Sequence, residues 1–115
     1  YTESVDEIIE KTLYKEFYPH GTSHWLGMDV HDQNPYMGDD YKPVKFEKGM
    51  LFTVEPGLYF QPDNMKIPAE LRGMAVRIED DILITENAYE KLTAMIPKEI
   101  KEVENACQED YKQFL

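Results

Sequence analysis

Gly49-Met50-Leu51-Phe52-Thr53-Val54-Glu55-Pro56-Gly57-Leu58-Tyr59-Phe60 is the stretch that decides the fold. Gly49 and Pro56-Gly57 bracket a short apolar run, 50–54, which predicts a strand buried on both faces. Glu55-Pro56-Gly57 interrupts the run and Leu58-Tyr59-Phe60 carries it on. A carboxylate at the end of such a strand is expected to be partly buried, and a buried charge has to be paired or to bind a metal.

Toward the C-terminus, Pro62, Asp63, Asn64 and Pro68 make 61–72 a loop. In 75–79, Val76 and Ile78 face one side of a strand, and Arg77 and Glu79 face the other, about 7 Å apart. Asp80-Asp81 reads as a tight turn, followed by a second strand over 82–85. Pro97 suits the first turn of a helix. Ile100, Val103, Cys107, Tyr111 and Phe114 then give a helical stripe to the end, with Cys107 expected as a core thiol.

Toward the N-terminus, 19–49 reads as loop with short structured pieces. Before it, Val5, Ile8, Ile9, Leu13 and Phe17 share one helical face, and Ser4 and Glu7 have capping-box spacing. Pro19 and Gly21 stop that helix. It lies so close to Tyr1 that a preceding segment is expected. The order helix, long loop, strands, helix is an α+β pattern.

The 115 residues suit one domain with a single modest core. Hydrophobic residues make up 42% and charged residues 30%, as in a globular chain. The formal charge of −11 argues against nucleic acid and against an anionic membrane surface as partners. No apolar run reaches the roughly 18–20 residues of a membrane helix. The single cysteine excludes an internal disulfide and fits a reducing, cytoplasmic setting.

Three features carry chemistry. All three histidines, His20, His24 and His31, fall in one glycine-containing stretch. Glu55 ends the apolar strand, and Arg77 and Glu79 share a strand face. A mixed histidine and carboxylate set without thiolate suits manganese, cobalt, zinc or magnesium. Against this, loop histidines with ordinary hydrogen bonds, a glutamate emerging into solvent and a surface charge pair account for each feature taken singly.

The stretches PHGTSHWLGMDVHD (19–32), GMLFTVEPGLYF (49–60) and RGMAVRIEDDILIT (72–85) resemble, in order and spacing, the creatinase or pita-bread metallopeptidases. Within them they are most similar to the Xaa-Pro aminopeptidases. The resemblance implies the C-terminal half of a pita-bread fold, a curved antiparallel sheet flanked by helices. Residues 1–115 are then the C-terminal part of the catalytic domain, without its N-terminal domain and upstream ligand strands. It also implies two divalent metal ions, manganese first, with cobalt or zinc as alternatives. Of five family ligands, the histidine falls on His24 and the two glutamates on Glu55 and Glu79. The two aspartates have no counterpart, so weak metal binding and no turnover are expected of this chain alone.

By the same resemblance, His31 contacts substrate and handles a proton, and His20 lines the pocket for proline. Glu55 serves as base, while Arg77 and Tyr59 orient an upstream aspartate. The implied reaction releases an N-terminal residue preceding proline through a metal-bridging hydroxide. The implied parent is a homo-oligomer. An Xaa-Pro dipeptidase of the same fold and a metal-free binding module are the rival readings. Strands left without their partners are expected to make the chain associate with itself or with its missing half.

Overall fold

The computed structural model describes residues 2–108. Two antiparallel sheets hold the centre of the chain. β1 (Leu51–Val54), β4 (Asp80–Ile84) and β5 (Tyr89–Lys91) form one sheet in the order β1-β4-β5. β2 (Gly57–Tyr59) and β3 (Ala75–Arg77) form the other. α1 (Val5–Glu10) precedes them and α2 (Ile100–Gln108) follows. The α+β reading holds.

The two sheets share one register. In the first, Leu51 faces Leu83 and Val54 faces Asp80. In the second, Gly57 faces Arg77 and Tyr59 faces Ala75. Counting along both strands, no residue is inserted between the ladders, so 51–59 and 75–83 form a single antiparallel ribbon. Pro56 makes the gap. Ile78 donates to the Pro56 carbonyl at 3.1 Å, but proline has no N–H to return the bond. The expected continuation of the 50–54 strand past Pro56 is therefore present.

The ribbon's outer edge is covered as well. Tyr59 donates to the Phe17 carbonyl, Glu55 to Thr22 and Thr53 to His24, while Leu26 donates to Leu51. Trp25 pairs with Phe52 in an isolated bridge. Residues 22–26 thus run beside β1 as an extended edge, within what reads from sequence as loop.

Several expectations fail for identifiable reasons. β1 is not buried on both faces: Thr53 is its one buried residue and Val54 is exposed. The alternation continues past Pro56, with Glu55 and Gly57 buried and Leu58 exposed. Polar groups therefore face inward and apolar ones outward, the reverse of an ordinary half-buried strand. Asp80-Asp81 is not a turn but the start of β4, because pairing with Thr53 and Val54 keeps the backbone extended. β5, absent from the sequence reading, has three exposed residues and no apolar alternation to betray it.

The first helix is shorter than its apolar stripe. Its capping box forms, with Glu7 N–H donating to the Ser4 hydroxyl and Ser4 N–H to the Glu7 carboxylate. Thr12 then turns left-handed (φ 53°) and a short 3-10 turn, Leu13–Glu16, follows. Val5 and Ile9 remain exposed, so no packing energy extends so short a helix. Pro97 lies ahead of α2, not in its first turn. Cys107 is exposed, not core, because α2 buries none of its residues. Tyr111 and Phe114 lie outside the described residues.

A closed core is missing too. Trp25, Ile67 and Ile82 are the buried hydrophobic residues among those described. The radius of gyration is 18.2 Å, against about 13 Å for a compact chain of this length. The chain is an open slab rather than the single modest core its size allows.

One polar cluster pins the slab's C-terminal side. The Asp80 carboxylate takes Lys98 Nζ at 2.9 Å and Lys91 Nζ at 3.0 Å. It also accepts from the Thr93 hydroxyl at 2.7 Å. Partial burial pushes this carboxyl up, but the bonds from Lys98, Thr93 and Lys91 outweigh burial and bring it down to about 2. A folded-state value below the ordinary 3.8 stabilises the fold above about pH 4, and that contribution is lost as pH falls through about 2. The shift corresponds to on the order of 2 kcal/mol. We expect the unfolding free-energy difference between the native chain and Asp80→Asn to be of this order near pH 6. It should shrink steadily below pH 4 in urea titrations.

Candidate metal centre

The register sets the site. One step beyond Val54–Asp80, and two short of Gly57–Arg77, Glu55 stands opposite Glu79. Thr53 and Glu55 send their N–H groups outward to 22–26, so 55–79 falls at a non-hydrogen-bonded position. Side chains at such positions share a face with Cβ atoms about 5 Å apart, and like charges there repel. A positive charge between them would relieve that repulsion.

Glu55 is 7% exposed and Thr53 1%. The Thr53 hydroxyl donates to Glu55 Oε1 at 3.1 Å and accepts the His24 N–H at 3.1 Å. One hydroxyl thus ties the histidine backbone to the carboxylate. The other Glu55 oxygen lies 3.4 Å from Arg77 Nη1.

His24 supplies the second donor. Its Nδ1 is 2.9 Å from the Trp25 carbonyl. A carbonyl only accepts, so Nδ1 carries the proton and Nε2 is left as the ligating nitrogen. Nε2 faces Glu55 Oε1 at 3.0 Å. Two electron-pair donors at this separation have to share a cation, either a second ring proton or a metal ion. An imidazole oriented by a carbonyl, beside a buried carboxylate, offers two donors of the kind a divalent metal ion takes. The chemistry of this pair fits such an ion.

A hydrogen-bond relay flanks the pair. Arg77 Nε donates to the Tyr59 hydroxyl at 2.6 Å. His20 Nδ1 is 2.7 Å from the Gly21 carbonyl and therefore protonated, so Nε2 accepts from the Tyr59 hydroxyl at 2.8 Å. The Tyr59 bond is the main cause holding Arg77 above its ordinary value, with Glu55 and Glu79 adding to it. Tyr59 curls back over Gly57, where a Cβ would lie 2.8 Å from the phenol oxygen. Only glycine leaves room for the relay. His20 also packs edge-on against Tyr18 and Tyr59, and His31 edge-on against His24 with ring centres 4.3 Å apart.

The structure therefore gathers His20, His24, His31, Glu55, Tyr59 and Arg77. Glu79 occupies the facing strand position but is exposed. Among the described residues, no three His, Cys, Asp or Glu side chains are grouped closely enough to hold a metal ion. Sequence reading missed Thr53 and the extended 22–26 edge. The i, i+2 spacing of Thr53 and Glu55 was the available signal for the first.

Residues 2–86 match the model of metallopeptidase family M24. The Xaa-Pro aminopeptidase of Escherichia coli K12 is 50% identical over 100 residues, covering 87% of this chain and 22% of the relative. Among solved structures, the Pseudomonas aeruginosa aminopeptidase PepP superposes with a TM-score of 0.86 at 46% identity, covering 91% of this chain and 24% of that one. A zinc-substituted Escherichia coli aminopeptidase P in complex with product gives 0.81 at 45% identity, over 96% of this chain and 25% of that one. The chain belongs to metallopeptidase family M24, with the aminopeptidase P (pita-bread) fold over the region it spans. It spans about a quarter or less of the length of these relatives.

Thr53→Val keeps the shape but removes the hydroxyl that accepts the His24 N–H and donates to the buried Glu55 Oε1. We expect a loss of about 1–3 kcal/mol in denaturant unfolding.

Proposed function

We propose that this chain is the C-terminal part of the catalytic domain of a dinuclear metalloaminopeptidase that releases an N-terminal residue preceding proline. The observation that carries the reading is the buried Glu55 carboxylate facing His24 Nε2, with Nδ1 committed to the Trp25 carbonyl. The 50% identity to an Xaa-Pro aminopeptidase supports the substrate class. The retention of His24, Glu55 and Glu79 weighs against a binding module that has shed its metals.

In this reading residues 1–115 supply three ligands, His24, Glu55 and Glu79, and segments outside the chain supply two aspartates. The ions are manganese in the native protein. One relative is described as zinc-substituted, which supports a native ion other than zinc in that protein. Divalent ions supply a water acidified to near-neutral pKa and a positive charge for the carbonyl oxygen.

The chain's own residues do the rest. Glu55 is fixed by Thr53 and takes the proton from the attacking water. His31, exposed beside His24, is placed to donate to the charge developing on substrate. His20, walled by Tyr18 and Tyr59, offers an aromatic surface to a pyrrolidine ring. Arg77 and Tyr59 present a fixed donor pair to an aspartate ligand from outside the chain. The partner is a peptide with proline second, acted on by a cytoplasmic homo-oligomer that engages neither nucleic acid nor membrane. No helix among the described residues is long and apolar enough to cross a membrane.

The test is turnover of the full-length protein on peptides with proline second, with lengths of two residues and upward. Retained activity on longer peptides identifies an aminopeptidase, and loss beyond two residues a dipeptidase. Glu55→Gln should lower kcat by about 10²–10⁴-fold. The 115 residues alone should show no turnover, since the bridging set is incomplete.

A further inference from the structure

Asp80 follows Glu79 directly, and strand alternation sends its side chain to the opposite face of the ribbon. Two cations from two separate positions converge on its carboxylate, Lys91 in β5 and Lys98 beyond it. Lys98 spends all three of its N–H groups: one on Asp80, one on the Thr93 carbonyl at 2.8 Å and one on the Ile96 carbonyl at 3.1 Å. The Thr93 hydroxyl accepts the Asp81 N–H at 3.1 Å while donating to Asp80. Leu92 N–H donates to the Asp81 carbonyl. Residues 91–98 are thus fastened to the Asp80-Asp81 step from both backbone and side chain.

The location of this cluster gives it a role beyond fastening. The ribbon lacks one of its bonds at the Pro56–Ile78 pair, immediately before Glu79. Exposed pairs contribute little, but here the Lys98 and Asp80 side chains are only 20% and 17% exposed. A carboxylate held by three donors on one face fixes the backbone from which Glu79 projects on the other.

We propose that Asp80, clamped by Lys98 and Thr93, is a positioning residue for Glu79 and so sets the geometry of the metal site. This rests on the reading of Glu79 as a metal ligand. Groups that orient a ligand without touching the ion typically govern metal affinity by 10–100-fold.

The experiment uses the metal-free full-length protein titrated with cobalt(II) ion alone, read by affinity and by the visible spectrum of the bound ion. Asp80→Asn and Lys98→Met should each weaken cobalt binding by about 10–100-fold and change the spectrum, with unfolding midpoints well above the assay temperature. Lys98→Arg should restore affinity and spectrum, which a purely structural role for the clamp does not require. Lys91→Met, which removes the more exposed cation, should have the smaller effect. Glu79→Gln separates the two layers. If it weakens binding while Asp80→Asn and Lys98→Met leave affinity and spectrum unchanged, the clamp is only a fastening and the proposal is wrong. If Glu79→Gln itself leaves cobalt binding unchanged, Glu79 is not a ligand, and the metal reading falls together with the role built on it.

Discussion

The pairing of residues 51–59 with 75–83 in one unbroken register is the constraint on which the rest of the chain depends. It puts Glu55 and Glu79 across from one another, at a position where backbone bonds point away and side chains come close. It leaves the outer edge of 51–59 free to accept 22–26, and that edge brings His24 to Glu55. Thr53 then joins the two through a single hydroxyl. Each step follows from backbone bonding, so the site's geometry is inherited from sheet geometry rather than assembled from flexible loops.

The distribution of polarity follows from the same arrangement. Thr53, Glu55 and Gly57 turn inward, while Val54 and Leu58 turn out. Burying a carboxylate costs several kcal/mol unless its partners compensate, and here Thr53, His24 and Arg77 do so. The apolar outer surface gains nothing from exposure. Ile100 and Val103 of α2 stand across from Val76 of β3 and Ile78 just after it, around a groove of about 630 Å³. With three buried hydrophobic residues among those described, the chain has little hydrophobic energy of its own.

Much of this was legible in the residues. The capping box at Ser4 and Glu7, the interrupted strand around Pro56 and the paired facing of Arg77 and Glu79 could all be read from spacing. The clustering of histidines near a strand-end glutamate, with the family resemblance, led to the residues the structure gathers. What could not be read depends on tertiary context. Asp80-Asp81 has turn chemistry, yet it pairs as strand because Thr53 and Val54 face it. Residues 22–26 carry glycine and short polar side chains nearby, yet they extend along β1 because an unpaired edge is there to be met. The stripe carrying Cys107 is a true helical pattern, but periodicity says nothing about whether a partner covers it.

Strand register is an integer quantity, and that gives this chain two very different zones of tolerance. A residue gained or lost within 61–72 disturbs the seat of Ile67 but leaves the register of the ribbon's two strands untouched. A residue gained or lost within 51–59 or 75–83 slides one strand by a whole step and turns one carboxylate to the opposite face. No small adjustment lies between those outcomes. Length variation among functional descendants of this sequence should therefore accumulate in the connection, while both ribbon strands admit substitution but neither insertion nor deletion.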